Sequence, residues 1–271
     1  MKLTRSFIFI IMAIVVNTQI FADPLAQENK ALVLKFLTQI YSEGSSKDLG
    51  AFFSSDYVEH DISLEPGENG WKGVVDMSAS TPERFWKAYR SAATGDLVAI
   101  HSQFKQGLKS TILLDVFRIG PQVFTEHWKI SQPEVLRTAN GNTMVDGDEG
   151  RTEAEGVAEK NKKTVAEMID LLFAKGQAQA GDRLVREDYI QHNPHVAHGR
   201  VALKKLFAGR INAVSVRFSV AEGNLVFCMM NYPNTIIVDI FRVQDGLVAE
   251  HWDVRQGEPS PQTVPPGRSL W

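Results

Sequence analysis

Val33, Phe36, Leu37, Ile40 and Tyr41 recur at the three-and-four spacing of one helix face, and Gly44 stands where such a helix would end. Val165, Met168, Ile169, Leu172 and Phe173 repeat the pattern, with Gly176 as the stop. Shorter helices are expected around Phe52-Phe53 and Leu184-Val185. A third is expected over 83–90, after Pro82, and over 201–207. Strand-like stretches follow at 96–104, 111–119 and 123–131, then again at 214–221, 225–232, 235–243 and 247–255. Helices first and consecutive strands afterwards predict an α+β fold with a largely antiparallel sheet.

The chain repeats itself. Residues 29–61 overlay 161–193 without a gap, with seven of 33 positions identical: Asn29, Lys30, Val33, Gly44, Asp56, Tyr57 and His60 match Asn161, Lys162, Val165, Gly176, Asp188, Tyr189 and His192. Residues 115–132 overlay 239–256 with seven of 18 identical, namely Asp, Phe, Arg, then Glu-His-Trp, then Gln. This period is far above the ~20–50 residues of solenoid repeats, so each copy is expected to be a whole domain. The reading divides the chain into a first domain over 23–137, a linker over 138–159, a second domain over 160–257 and a Pro-rich tail over 258–271. The linker is rich in Gly, Asn, Asp, Glu and Thr, which suits an exposed connection.

Residues 1–22 form a separate unit. Lys2 and Arg5 precede an unbroken apolar run over 7–16, too short to span a ~30 Å hydrocarbon core, and Ala22 precedes a candidate cleavage point. This predicts a signal peptide and a secreted or periplasmic protein, with membrane association only if the segment stays uncleaved. The 29 Lys+Arg and 32 Asp+Glu give a net charge of −3, which becomes −5 once Lys2 and Arg5 are removed. With no basic excess to neutralise phosphates, a nucleic-acid partner is excluded. The single cysteine, Cys228, excludes an intramolecular disulfide and reads as a small buried apolar residue.

The last hairpin carries the candidate chemistry. A three-residue loop at Gln244-Asp245-Gly246 would set Val243 opposite Leu247 and Asp239 opposite His251. Alternation then puts Asp239, Phe241 and Val243 on one face with Ala249, His251 and Asp253. Val238, Ile240, Val248, Trp252 and Val254 fall on the other. The first copy repeats this around Gly120-Pro121-Gln122, with Asp115 opposite His127. A two-residue turn would instead pair Asp239 with Trp252. An acid and an imidazole on a mostly apolar face must be paired or hydrogen-bonded, and Asp239 can orient His251. Such a pair serves equally as a satisfied polar pair in a structural sheet. Trp128 and Trp252 read as packing between the copies.

Tyr189-Ile190-Gln191-His192-Asn193-Pro194, followed by Asp239-Ile240-Phe241-Arg242 and Glu250-His251-Trp252-Asp253, resembles the SnoaL-like polyketide cyclase family of the nuclear transport factor 2-like superfold. The resemblance covers most of the second copy. The first copy departs from it, with His60-Asp61 for His-Asn-Pro and Lys129 for Asp253. The resemblance implies two tandem cone-shaped α+β barrels, each with helices packed on a curved, mostly antiparallel sheet around a pocket. It also implies pairing of the two copies through their outer sheet faces, as an intramolecular pseudo-dimer. The activity it implies is a cofactor-independent lyase or isomerase, with aldol-type or proton-abstraction chemistry on a small hydrophobic carbonyl compound. His251, Asp239 and Asp253 are then the catalytic candidates, and His192, Asn193 and Phe241 the substrate-binding ones. Asp115, His127 and His60 are their first-copy equivalents. The alternative is a non-catalytic pocket of the cell envelope that binds a small molecule or partner. A deep cavity lined by His251 and Asp253 favours the first; one filled by Phe227, Met229 and Phe241 favours the second. His192, His195 and His198 have a spacing that invites zinc, but Pro194 breaks any helix and no carboxylate or cysteine lies nearby in sequence. Neither a metal nor an organic cofactor is expected.

Overall fold

Asp23 opens the first helix, α1 (Pro24–Leu37): its side chain accepts from the Leu25 N–H at 3.1 Å, and Pro24 occupies a first-turn position that needs no donor. Ala26, Asn29, Val33, Phe36 and Leu37 form the buried face. The helix loosens into a π-type turn over Thr38–Glu43, burying Ile40 and Tyr41, and stops at Gly44, whose φ of +61° costs a glycine little. The described residues are 23–79, 83–259, 263–264 and 268–269 of this computed structural model. The expected export signal over 1–22 lies outside them.

The first copy continues with a 3₁₀ turn (Leu49–Phe52), β1 (Phe53–Glu59), α2 (Glu68–Ala79), β2 (Arg84–Thr94), β3 (Leu97–Gln106), β4 (Lys109–Ile119) and β5 (Phe124–Pro133). The second has α3 (Val157–Met168) with its π-type extension (Ile169–Ala174), α4 (Gly181–Leu184), β6 (Val185–Gln191), α5 (Gly199–Phe207), β7 (Ser215–Glu222), β8 (Leu225–Tyr232), β9 (Thr235–Gln244) and β10 (Leu247–Gly257). The sheets run β1-β5-β4-β3-β2 and β6-β10-β9-β8-β7; β1 lies parallel to β5 and β6 to β10, and every other pairing is antiparallel. The α+β expectation therefore holds twice over.

Three expectations need correction. Residues 83–90 are not helical: from Arg84 they pair with β3, and the helix of that region is α2. Carrying α5 back by the repeat offset of 132 lands inside α2, so the repeat itself held the right answer. The short parallel strands β1 and β6 were not expected at all. The hairpin register also differs. Asp245 and Gly246 form a two-residue turn with φ of +53° and +78°, pairing Gln244 with Leu247 and Val243 with Val248. A bulge at Ala249 then shifts the register, so that His251 faces Phe241 and Asp253 faces Asp239. The turn flips side-chain parity and the bulge flips it back, which is why Asp239, Phe241, His251 and Asp253 still share the inner face. Val248, which lies before the bulge, joins the inner core rather than the outer one.

Each cone has its own core, and a third buried cluster draws on both sheets. Val116, Trp128 and Ile130 of the first copy share it with Phe227, Ile240, Trp252 and Val254 of the second. Two glutamines from the matched blocks bond reciprocally across this seam. Ser131 N–H donates to Gln256 Oε1 at 3.1 Å, and Arg255 N–H donates to Gln132 Oε1 at 2.7 Å.

The segment read as an exposed linker is in part a docked strap. Met144 and Val145 are buried in the shared cluster. Arg90, itself 1% exposed, donates to the carbonyls of Val145, Asp146 and Asp148 at 3.1, 2.6 and 2.8 Å, with its guanidinium 3.6 Å from the Trp252 ring. Trp252 Nε1 also donates to the Asp146 carbonyl, at 2.8 Å. Gly147 (φ +92°) lets the strap press onto the sheet, where a Cβ would meet Glu250 at 2.1 Å. Arg90 thus ties β2, the strap and β10 together, and burial pulls its pKa down only to about 10, so it stays cationic. Replacing Arg90 with Met should cost about 2–4 kcal/mol, because it removes the donor to the Val145 and Asp148 carbonyls and leaves that of Asp146 to Trp252 alone. Urea unfolding checks the loss, and faster amide exchange over 143–150 locates it.

Candidate functional site

In the second copy the inner faces of β9 and β10, the end of β6 and helix α5 surround a cavity of about 440 Å³. Phe173, Leu203, Leu206, Phe207 and Ile237 supply its apolar lining; Gln191, Asn193, His195, Asp239, His251 and Asp253 supply most of its polar lining. Phe227 and Met229 lie on the opposite side of the sheet, in the shared cluster. His251 and Asp253 both stand on the wall of this cavity.

The centre of the site is a chain of short contacts. His251 Nε2 lies 2.5 Å from Asp239 Oδ1, and Nδ1 lies 2.7 Å from Gln191 Oε1. That oxygen also accepts the backbone N–H groups of His192 and Asn193, at 2.9 and 2.8 Å. Two backbone donors identify it as the carbonyl oxygen of the amide, so Nδ1 of His251 must carry a proton. Nε2 and Asp239 then share one further proton between them. Burial pulls the imidazole pKa down, but the Asp239 hydrogen bond and charge, with Asp253 behind them, raise it above its ordinary value. Phe241 stacks beneath the imidazole with ring centres 5.0 Å apart and is fully buried.

Asp253 stands directly opposite Asp239. Its Oδ2 accepts from Asn193 Nδ2 at 2.7 Å, while its Oδ1 and the second oxygen of Asp239 are buried without a hydrogen-bond partner among the described residues. Burial pushes the Asp253 carboxyl up to about 6 against the pull of His251, and the Asp239 charge adds to the rise.

His192 does not line this cavity. Its ring stacks on Trp252 at 4.8 Å, with Nε2 2.9 Å from Glu250 and Nδ1 2.8 Å from Asp146. Arg242 closes the group on Glu250 at 2.8 Å. The first copy holds the same arrangement, with His60 on Trp128 at 4.5 Å, 3.1 Å from Glu126, and Arg118 2.6 Å from Glu126. The expected roles of His192 and His60 as pocket residues are corrected accordingly; in both copies this histidine faces away from the cone. His195 lines the cavity, while His198 bonds to Gln191 N–H and to Asn142, so the three closely spaced histidines enter three different surroundings.

Inside the first cone a tryptophan packs against the imidazole. Trp71 of α2 occupies the place of Leu203 and packs on Phe36 at 4.8 Å, Phe117 at 6.2 Å and His127 at 5.0 Å. His127 is fully buried between Glu59, 2.9 Å from Nδ1, and Asp115, 3.0 Å from Nε2. Burial opposes its charge, but the two carboxylates hold its pKa at about 9. Glu59 matches Gln191. In place of the Asn193–Asp253 hydrogen bond, the first copy has an ion pair of Asp61 with Lys129 at 2.6 Å. Sequence reasoning quoted Gln191 within its motif without giving it a task, and passed over Trp71. Differences between the copies, rather than their identities, were the signal that would have found both.

No family model matches this chain, and no curated protein matches it. Among solved structures it is similar to TsrD from Streptomyces laurentii (22% identity, TM-score 0.34, covering 41% of this chain and 92% of that one). It is also similar to IdmH, a putative polyketide cyclase from Streptomyces antibioticus (20%, TM-score 0.33, 39% and 92%). A third is a putative SnoaL-like polyketide cyclase from Jannaschia Sp. CCS1 (16%, TM-score 0.34, 39% and 92%).

Because the Asp253 carboxyl is raised, the folded state holds its proton more tightly than the unfolded chain does. Its contribution to stability is therefore greatest below about pH 4 and is lost as pH rises through about 6. Asp253→Asn removes that loss, so the variant should exceed the parent at pH 8 by on the order of 2 kcal/mol and match it more closely at pH 4. Thermal unfolding of both proteins from pH 4 to 8 measures this; a constant difference across the range contradicts it.

Proposed function

We propose that the second copy is a cofactor-independent enzyme that moves a proton beside the carbonyl of a small hydrophobic compound, giving an isomerase or an aldol-type lyase or cyclase. The observation that carries the reading is that Asp239 and Asp253, each with one buried oxygen unpartnered among the described residues, both line a largely apolar cavity beside His251. Their surroundings separate the two acids: Asp239 is backed by an imidazole, while Asp253 is backed only by an amide. Acids set apart in this way divide into a base and an acid. Asp239, held against the His251 imidazole, takes the α-proton on its free oxygen. Asp253 in its protonated form donates from its free oxygen to the carbonyl as the enolate develops. Both His251 nitrogens are engaged, so His251 acts through Asp239, which reverses the roles that the sequence suggested. Asn193 positions Asp253, and Phe241 supports the imidazole.

Export rests on the charged-then-apolar pattern of residues 1–22. The reciprocal Gln132 and Gln256 bonds, with the cluster shared by both sheets, support a pseudo-dimer of the two copies within one chain. On this reading the first copy stands where a partner subunit would stand.

Exchange of the α-protons of 2-tetralone in D₂O, followed by proton NMR, tests the reaction without knowledge of the natural substrate. The full chain should catalyse exchange, with a rate that falls above about pH 6 as Asp253 ionises. Asp239→Asn and Asp253→Asn should each lower it by about 10²-fold or more. Exchange that survives both substitutions in folded protein refutes the mechanism. No exchange with this or a panel of related ketones leaves a binding pocket in its place.

A further inference from the structure

The seven identities of the second matched block all serve features that the two copies have in common. The Asp and His form the inner pair, and Phe lies under the imidazole. The Arg, Glu and Trp build the outer group with the preceding histidine. Gln joins the copies across the seam. What distinguishes the copies is what surrounds the inner pair, and the exchange nearest the imidazole is Glu59 against Gln191.

That exchange alters one hydrogen bond in kind. Gln191 Oε1 is held by two backbone N–H groups and has only a neutral lone pair to offer His251 Nδ1–H. Glu59 keeps one of those anchors, the Asp61 N–H at 2.9 Å, and adds the Tyr57 hydroxyl at 2.6 Å, but it meets His127 with a full negative charge on both oxygens, at 2.9 and 3.0 Å. His127 thus has a carboxylate on each nitrogen, and a charged imidazole is the form that satisfies both.

We propose that Gln191 is a positioning residue that fixes the Nδ1-protonated form of His251, so that one proton stays shared with Asp239, and that Glu59 at the same place in the first copy ties His127 into a permanent ion triad that serves the fold. The consequence for function rests on the proton-transfer reading of the second copy; the consequence for the imidazoles does not. An added carboxylate at 191 would hold the imidazole charged and place a further negative charge beside the developing enolate.

The groups facing His251 are few. Asp239 comes from β9 and Asp253 from its own strand; around these two acids stand Arg255, Tyr189 of β6, and Cys228 and Tyr232 of β8, while His195 lines the same cavity and α5 presents Leu203, Leu206 and Phe207. Around His127 stand Glu59, Tyr57, Tyr41, Asp115, Asp61 and Lys129. No other basic side chain among these groups contacts either imidazole, so each titration reports on its own carboxylates.

The test uses nitrogen-15 imidazole NMR on the full chain, comparing the parent with Gln191→Glu and Glu59→Gln. In the parent, His251 Nδ1 should carry the proton throughout. Gln191→Glu should raise the His251 midpoint by 1–3 pH units, and Glu59→Gln should lower that of His127 by a similar amount. Tetralone exchange should fall at least tenfold in Gln191→Glu and stay at the parental rate in Glu59→Gln. A His251 midpoint unmoved in folded Gln191→Glu, or an Nδ1 without its proton in the parent, overturns the proposal. If Gln191→Glu does not fold, the His127 midpoint in Glu59→Gln decides alone, and an unchanged value overturns it. Midpoints that move as expected in a protein without tetralone exchange uphold the positioning role and sink only the reaction.

Discussion

Two carboxylates, Asp239 and Asp253, stand opposite one another on paired strands inside an apolar cone, with one imidazole in contact to offset their charge. Burying two acids face to face is costly, and the surrounding residues are arranged around that cost. The imidazole is assigned to one acid through a 2.5 Å contact, and an amide to the other through a 2.7 Å hydrogen bond. The remaining oxygen of each is buried without a hydrogen-bond partner among the described residues, in side chains that line the cavity. Such an arrangement holds unspent hydrogen-bonding capacity where a ligand would supply it.

The first copy surrounds its acid and imidazole differently. Lys129 replaces the second acid and pairs with Asp61; Glu59 supplies a second counter-charge to the imidazole; and Trp71, at the place of Leu203, packs on the imidazole ring. These changes add counter-charge and packing around the imidazole, although Asp115 Oδ2 and Trp71 Nε1 stay buried without a hydrogen-bond partner among the described residues. The Asp115–His127 pair there joins two buried polar groups through one contact, whether or not any chemistry follows. Repetition of a pair across a duplicated chain is therefore weak grounds for assigning it a catalytic role; what surrounds the pair carries the distinction.

The outer faces of the two sheets show the complementary economy. Arg, Glu, His and Trp recur in both copies as a stacked, hydrogen-bonded group facing away from the cones. On the second copy this group also receives the strap that Arg90 holds at its carbonyls. The inner and outer faces of β10 thus carry alternate residues of one short motif, Glu250-His251-Trp252-Asp253, with unrelated tasks on its two sides.

Periodicity and self-comparison were enough to establish the duplication, the α+β class, the limits of β8 and, by alternation along β10, the common face of His251 and Asp253; Asp239 of β9 joins that face through a register expected wrongly, its two errors cancelling. The register of the hairpin was not legible, because turn length and the bulge at Ala249 each move it by one residue and only their sum is felt by the site. His192 was misplaced for a related reason: it follows the last residue of β6, where strand alternation no longer dictates a face. The placing of Trp71 against the His127 imidazole and the anchoring of Gln191 by two backbone N–H groups were settled only by tertiary packing, because both depend on contacts between elements far apart in the chain. A sequence states which groups are available along each strand, and the free volume and hydrogen-bond partners around them exist only once the strands and helices have closed on one another.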